Sequence, residues 1–260
     1  MPPETSQASL PKGERIAKVI ARAGLCSRRE AERWIADGRV KIGGEVIKTP
    51  AVTVTTANNV TVDGKPLPRA EPSRLWRYHK PAGLITTHKD TMGRPTVFQS
   101  LPDNLPRLIS VGRLDLNSEG LLLLTNDGEL ARKMELPATG WRRRYRVRVH
   151  GRIETDALSY LEDGLTIAGT KYGPVKANLE RQKGSNAWLS VSLTEGKNRE
   201  IRAVMKHLGW PVSRLIRISY GPFQLGNLAK GKIEEVKQKT LREQLGFKRE
   251  RKQSRAYRRG

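Results

Sequence analysis

Apolar and polar positions along this chain follow two periods, and the change between them divides it. In residues 14–23 (ERIAKVIARA), Ile16, Val19, Ile20 and Ala23 recur at i, i+3, i+4 and i+7. That spacing lays one apolar stripe along a helix, and Gly24 is placed to stop it. Ser27-Arg28-Arg29-Glu30 reads as a capping box for a second helix. Its inward face is Ala31, Trp34 and Ile35, its outward face is Arg28, Arg29, Glu32 and Arg33, and Gly38 ends it. Val40, Ile42, Val46, Val52, Val54, Val60 and Val62 then mark short strands between the Gly43-Gly44 and Asp63-Gly64 turns. Residues 12–66 are therefore expected to form two short helices on a small sheet. A unit of that size buries only a modest core, which suits binding better than catalysis. The polar, Pro-containing stretch 67–73 is the expected linker.

From Leu75 onward the apolar segments lengthen and both periods appear, which predicts a larger α+β domain over 74–228. Leu121–Leu124 reads as a fully apolar strand closed by Asn126-Asp127-Gly128. Arg144–Val149 alternates strictly, with Tyr145, Val147 and Val149 on one face of a strand and three arginines on the other. Thr155–Glu162 is expected to be a surface helix. Leu189, Val191 and Leu193 mark a strand, and Ile201, Val204, Met205 and Leu208 mark a helix after the Glu195-Gly196-Lys197 loop. Residues 248–260 hold seven Lys or Arg against one Glu, so 229–260 is expected to be a basic, disordered tail.

Charge narrows the partner. Over 260 residues, 49 Lys and Arg against 26 Asp and Glu leave a formal net charge of +23. Such a field draws polyanions, and RNA is the expected one. No run of about 18 apolar residues occurs and the first residues lack an apolar signal core, so a cytoplasmic protein with no membrane partner is expected. Cys26 stands alone, and His79, His88, His150 and His207 are scattered, so no metal site is indicated. Cys26 reads as a small buried residue between two helices. The phosphate-loop, dinucleotide, HExxH and CxxC signatures are absent, which predicts chemistry without a metal or nucleotide cofactor. A monomer is expected.

What remains is acid, phenol and guanidinium chemistry. Val111-Gly112-Arg113-Leu114-Asp115-Leu116-Asn117-Ser118-Glu119-Gly120 places one aspartate in a loop directly before the apolar strand. On spacing alone, an aspartate there is more often a turn or capping residue than a reactive one. The longer string GRLDLNSEGLLLLTNDGELA changes that balance. It resembles the GRLDxxSxGLLLLTxDG motif of the RsuA/RluB/RluE/RluF class of ribosomal RNA pseudouridine synthases. Other elements of that class follow in order: Lys80-Pro81-x-Gly83, the basic-aromatic strand at Tyr145, and Glu195-Gly196-Lys197-Asn198-Arg199-Glu200-Ile201-Arg202. AKVIARAGLCSRREAERWIADGRVKIGG resembles the S-four-type RNA-binding module that precedes the catalytic domain in this class. Arg94-Pro95-Thr96-Val97 and the Asn198–Arg202 segment look most like the RluB branch, whose substrate is a uridine of large-subunit (23S) rRNA.

The resemblance implies isomerisation of uridine to pseudouridine, with no cofactor. It makes Asp115 the catalytic aspartate, which either attacks the sugar or assists elimination to a glycal. Tyr145 matches the tyrosine that stacks on the base and takes part in removing the C5 proton. On sequence alone, a tyrosine on an apolar strand face is more often core packing. Arg202, on the shoulder of its helix's apolar face, is the expected guanidinium partner that keeps Asp115 charged. Arg113 is expected where the target base leaves its stack. Arg28, Arg29, Arg33, Arg39 and Lys41 form the expected phosphate-reading face of the small module, and Lys197, Asn198 and Arg199 are further RNA contacts. The implied partner is ribosomal RNA, free or within an assembly intermediate. The alternative is a non-catalytic RNA-binding or ribosome-assembly protein that keeps the fold. Asp115, Tyr145 and Arg202 at all three motif positions argue against it.

Overall fold

The computed structural model describes residues 13–55 and 58–245, which divide into two compact units. The first runs up to Ser73, with the short segments Asn104–Arg107 and Asn126–Gly128. It contains β1 (Glu14–Arg15), α1 (Ile16–Arg22), α2 (Arg28–Ala36), β2 (Val40–Ile42), β3 (Glu45–Val46), β4 (Thr53–Val54), β5 (Val60–Val62) and β6 (Lys65–Pro66). The first helix starts two residues later than its apolar spacing suggests, because Glu14 and Arg15 pair with Val54 and Thr53 as a short antiparallel ladder. Ser27 Oγ accepts the Glu30 backbone N–H at 3.2 Å, which caps α2 as the sequence predicts. Ile16, Ile20, Ala31, Ile35, Val40 and Val60 pack the core against a sheet of order β3-β2-β5-β6. Cys26 is buried in that cluster.

The second unit is built on a nine-stranded mixed sheet. Its strands are β7 (Leu75–Lys80), β8 (Ile109–Val111), β9 (Ser118–Thr125), β10 (Arg143–His150), β13 (Val175–Lys183), β14 (Asn186–Leu193), β15 (Val212–Tyr220), β16 (Phe223–Gln224) and β17 (Ile233–Glu235). The order is β13-β14-β10-β15-β9-β7-β17, with β16 added to β15 and β8 to β9. Among the described residues, β9–β15 is the one parallel pairing between strands of this sheet. A separate hairpin joins β11 (Leu165–Ile167) to β12 (Thr170–Tyr172). Helices α3 (Gly128–Glu135), α4 (Thr155–Ser159), α5 (Glu200–His207) and α6 (Gln238–Leu245) complete the unit. The segment expected as one helix over Thr155–Glu162 instead changes to a 3₁₀ turn at Tyr160–Asp163.

β9 is buried at all eight positions, which explains its unbroken apolar run. One side carries Leu121 and Leu123, packed with Leu130 and Met134 of α3 and with Leu241 and Leu245 of α6. Gly120 sits where β9 meets β15 in register with Arg217. A Cβ there would lie 2.3 Å from the Arg217 carbonyl oxygen, and φ is +100°, so the motif glycine is a steric requirement of the parallel pair.

The C-terminal expectation needs correction. Residues 229–245 are part of the folded unit: β17 pairs antiparallel with β7, and Val236, Leu241 and Leu245 are buried. The basic composition of the chain end hid a short amphipathic helix whose apolar positions fit the back of β9. The arginine-rich stretch 248–260 lies outside the described residues. Lys230 adds an ion pair, 2.7 Å from Glu119, which Arg214 also holds at 2.7 and 3.0 Å. Those donors, Arg214 foremost, pull the buried Glu119 carboxyl down to about 2 from an ordinary 4.5 against the effect of burial.

Two outcomes are expected. Leu241→Ala should cost about 3 kcal/mol in urea unfolding, whereas a residue of a disordered tail would cost nothing. Glu119 has a lowered folded value, so its contribution is present above about pH 4.5 and lost as pH falls toward 2. In Glu119→Gln, stability measured across that range should be lower at neutral pH and should lack this part of the acid loss.

Candidate active site

The candidate aspartate lies in the loop that joins β8 to β9, and the end of β7 holds that loop from below. Lys80 is fully buried. Its ammonium donates to the carbonyls of Pro81, Asp115, Leu116 and Ser118 at 3.0, 3.1, 3.3 and 2.9 Å. Three N–H protons thus serve four carbonyl oxygens, two of them in the aspartate loop and one at the start of β9. Burial pushes the Lys80 ammonium down to about 8, while the negative charges of Asp115 and Glu119 oppose the shift. Gly83 N–H donates to the Leu116 carbonyl at 2.8 Å, and Thr86 Oγ1 both donates to Leu114 O at 2.9 Å and accepts from Leu114 N at 3.3 Å. Residues 80–86 therefore fix the backbone on both sides of Asp115.

The Asp115 carboxylate is one-third exposed and faces a cleft of about 840 Å³. Arg202 projects from α5 with its Nε 3.9 Å from Asp115 Oδ2. Its Nη2 donates to Asn117 O at 3.2 Å and its Nη1 to Val212 O at 3.3 Å. The guanidinium is therefore pinned behind the carboxylate. Burial, then the nearby Arg199 charge, push its pKa down, and Asp115 pulls it back. Tyr145 is buried on β10 and lines the same cleft. The three residues singled out for chemistry thus converge from a loop, a strand and a helix.

The expected RNA contacts divide. Arg113 is exposed on the rim of the cleft, and Asn198 and Arg199 line it. Arg199 stands at the N-cap of α5 in the left-handed region at φ +53°, a sparsely populated setting for any residue with a Cβ. Lys197 lines the cleft too, but its ammonium is committed to Glu195 Oε2 at 2.7 Å and Lys171 O at 2.6 Å. In the N-terminal unit, Arg28, Arg29, Arg33 and Lys41 are exposed. Arg39 is exposed as well; it makes a two-pronged bond to Asp63 at 2.9 and 2.5 Å and lies 4.6 Å over the Trp34 ring.

Sequence reading gave no role to Lys80, Arg217 or Tyr220, which with Arg143 lie within or beneath the cleft. Arg143 donates to the carbonyls of Thr194 and Glu195 and to Tyr220 Oη at 2.9 Å. Arg217 is buried on β15 and donates to Leu121 O at 2.7 Å. The signal for Lys80 was its register: on a strand it shares a face with Trp76 and Tyr78, the buried face of β7. Among the described residues, the buried side-chain atoms left without a hydrogen-bond partner are Ser118 Oγ, Glu200 Oε1, Arg202 Nε and Arg217 Nη2. Ser118, Glu200 and Arg217 line the cleft, and Arg202 stands directly behind it. Open polar capacity concentrated in one place marks a binding site. Among the described residues, no group of three or more His, Cys, Asp or Glu is placed to share a metal ion, and no helix is long and apolar enough to cross a membrane.

Comparison with known proteins identifies the family. Residues 74–207 match the RNA pseudouridylate synthase family, and residues 14–60 match the S4 domain. An uncharacterized RNA pseudouridine synthase of Rickettsia prowazekii is 49% identical over 89% of this chain and 97% of its own length. The ribosomal large subunit pseudouridine synthase B of Yersinia pestis is 42% identical over 84% of this chain and 70% of its own. A crystal structure of a pseudouridylate synthase superposes with a TM-score of 0.63 at 26% identity, covering 89% of this chain and 99% of that one. The cleft around Asp115 therefore lies in the catalytic domain of an enzyme, and this chain belongs to the RNA pseudouridylate synthase family, an isomerase domain preceded by an S4 domain.

Proposed function

We propose that this enzyme converts one uridine of large-subunit ribosomal RNA to pseudouridine, with Asp115 as the reacting carboxylate. The observation that carries the reading is the Asp115 carboxylate at the cleft wall, 3.9 Å from a pinned Arg202 and sharing the cleft with Tyr145. The large-subunit assignment rests on the likeness to the Yersinia pestis protein.

The reaction breaks the N1–C1′ bond, turns the base and joins C5 to C1′; the C5 proton is lost and N1 takes one up, so the product is an isomer of the substrate. Asp115 serves either by attacking C1′, to give an ester-linked sugar, or by taking the 2′ proton to give a glycal; both routes put the same carboxylate beside the ribose. Arg202 sets a fixed positive charge 3.9 Å from that carboxylate. The Tyr145 ring packs on the base and its hydroxyl stands available for the C5 proton. Bringing the uridine into the cleft costs a few kcal/mol of lost stacking, and Arg113 on the rim compensates by contacting RNA where the base has left. Arg28, Arg29, Arg33 and Lys41 of the S4 unit, with Asn198 and Arg199, hold the phosphate backbone and fix register. A substrate of this kind places the work in the cytoplasm, on rRNA that is free or in early assembly, and a monomer suffices for it.

The test maps pseudouridines across both large rRNAs by carbodiimide-adduct primer extension in cells lacking the protein. Complementation uses wild type or Asp115→Ala. One large-subunit stop should vanish and return with wild type only. A stop restored by Asp115→Ala contradicts the assigned chemistry, and no change in any stop contradicts the substrate.

A further inference from the structure

The sheet of the catalytic unit has a second face that the reaction does not use. On β10, Tyr145, Val147 and Val149 are buried, whereas Arg144, Arg146 and Arg148 point the other way and are exposed. α3 and α6 cover that second face around Leu121 and Leu123 of β9, with Leu75 of β7 and Ile216 of β15 packed in the same cluster. Across β10, β14 and β13 it stays open.

Register brings unlike chemistries together there. Trp188 on β14 stands opposite Arg148 on β10 and Arg181 on β13, and Lys183 stands opposite Asn186. The five enclose a depression of about 480 Å³, within the range of small-ligand sites. A bulge between Leu179 and Arg181 turns Arg181 onto this face. The Arg146 guanidinium lies 4.8 Å from the Trp188 ring centre and is neutralised by Glu180 at 3.0 Å. Arg214 nearby is neutralised by Glu119. Arg148, Arg181 and Lys183 make no ion pair among the described residues. Three uncompensated cations around an indole, lining a depression of nucleotide size, form the combination that binds single-stranded nucleic acid: charge for phosphates and a ring for a base.

We propose that this face is a second RNA-binding surface, taking a single-stranded segment whose phosphates meet Arg148, Arg181 and Lys183 and one of whose bases stacks on Trp188. It lies on the opposite side of the sheet from Asp115, so it holds RNA flanking the target without touching the reacting uridine. Its test reads binding alone and so stands or falls separately from the identity of the modified uridine.

The probe is a fluorescein-labelled oligouridylate of about 20 nucleotides, titrated into the full chain by anisotropy at several salt concentrations. Arg148→Gln/Arg181→Gln/Lys183→Gln should weaken binding about 10- to 100-fold and reduce the slope of log Kd against log salt by about 2, from roughly 0.7 per lost phosphate contact. Trp188→Leu should weaken binding with the slope unchanged, because stacking releases no counterions. Thermal unfolding of both variants should match wild type to within a few degrees. A Kd and slope equal to wild type in the folded triple variant overturn the proposal, whether the face is idle or takes an acidic protein.

Discussion

A single buried ammonium sets the geometry on which the rest depends. Lys80 ends β7 with no exposure to solvent, and its protons reach across to the loop that carries Asp115. A charge in such a place is costly unless its bonds are satisfied. Here the satisfaction comes from carbonyls that have no other reason to converge, so the cost of burying the lysine and the folding of the loop are one event. Thr86 and Gly83 extend the same hold to Leu114 and Leu116. The carboxylate between them points into the cleft because its backbone has nowhere else to go.

Around this clamp the charges are graded by how much freedom they keep. Arg202 is pinned by two carbonyls and lies behind Asp115, and Arg217 and Arg143 are fixed by backbone bonds in the wall. Arg113, Arg28, Arg29 and Arg33 stay exposed. Fixed cations beside a carboxylate need no reorganisation to stabilise charge in the cleft, whereas exposed cations suit a mobile polyanion. Glu119, next in sequence to the loop, is neutralised by Arg214 and Lys230, which keeps a second carboxylate near the site out of the chemistry.

Much of this was legible in the sequence because the relevant signals are local. Ser27 capping α2, the alternation about Tyr145 and the unbroken leucines of β9 each follow from spacing. Asp115 became legible only through its motif, since a loop aspartate has many ordinary reasons to exist. What was hidden depends on long-range pairing. The bonds of Lys80 reach partners 35 to 38 residues away, and those of Arg217 reach Leu121, 96 residues away. The fold of 229–245 was masked by composition, because α6 buries only Leu241 and Leu245 and reads as polar. The two-pronged bond of Arg39 to Asp63, across the β2–β5 pair, was likewise invisible in the sequence.

The most direct measurement is the single-turnover release of tritium from rRNA labelled at uridine C5, compared between wild type and Lys80→Met at saturating enzyme. Methionine keeps the length of the side chain and removes the donors. If the ammonium holds Asp115 in place, the folded variant should bind rRNA with an unchanged Kd and release tritium at least about 100-fold more slowly, the order expected for a displacement near 1 Å. A folded Lys80→Met that releases tritium at the wild-type rate would show that the loop holds Asp115 without the clamp, and would contradict the account.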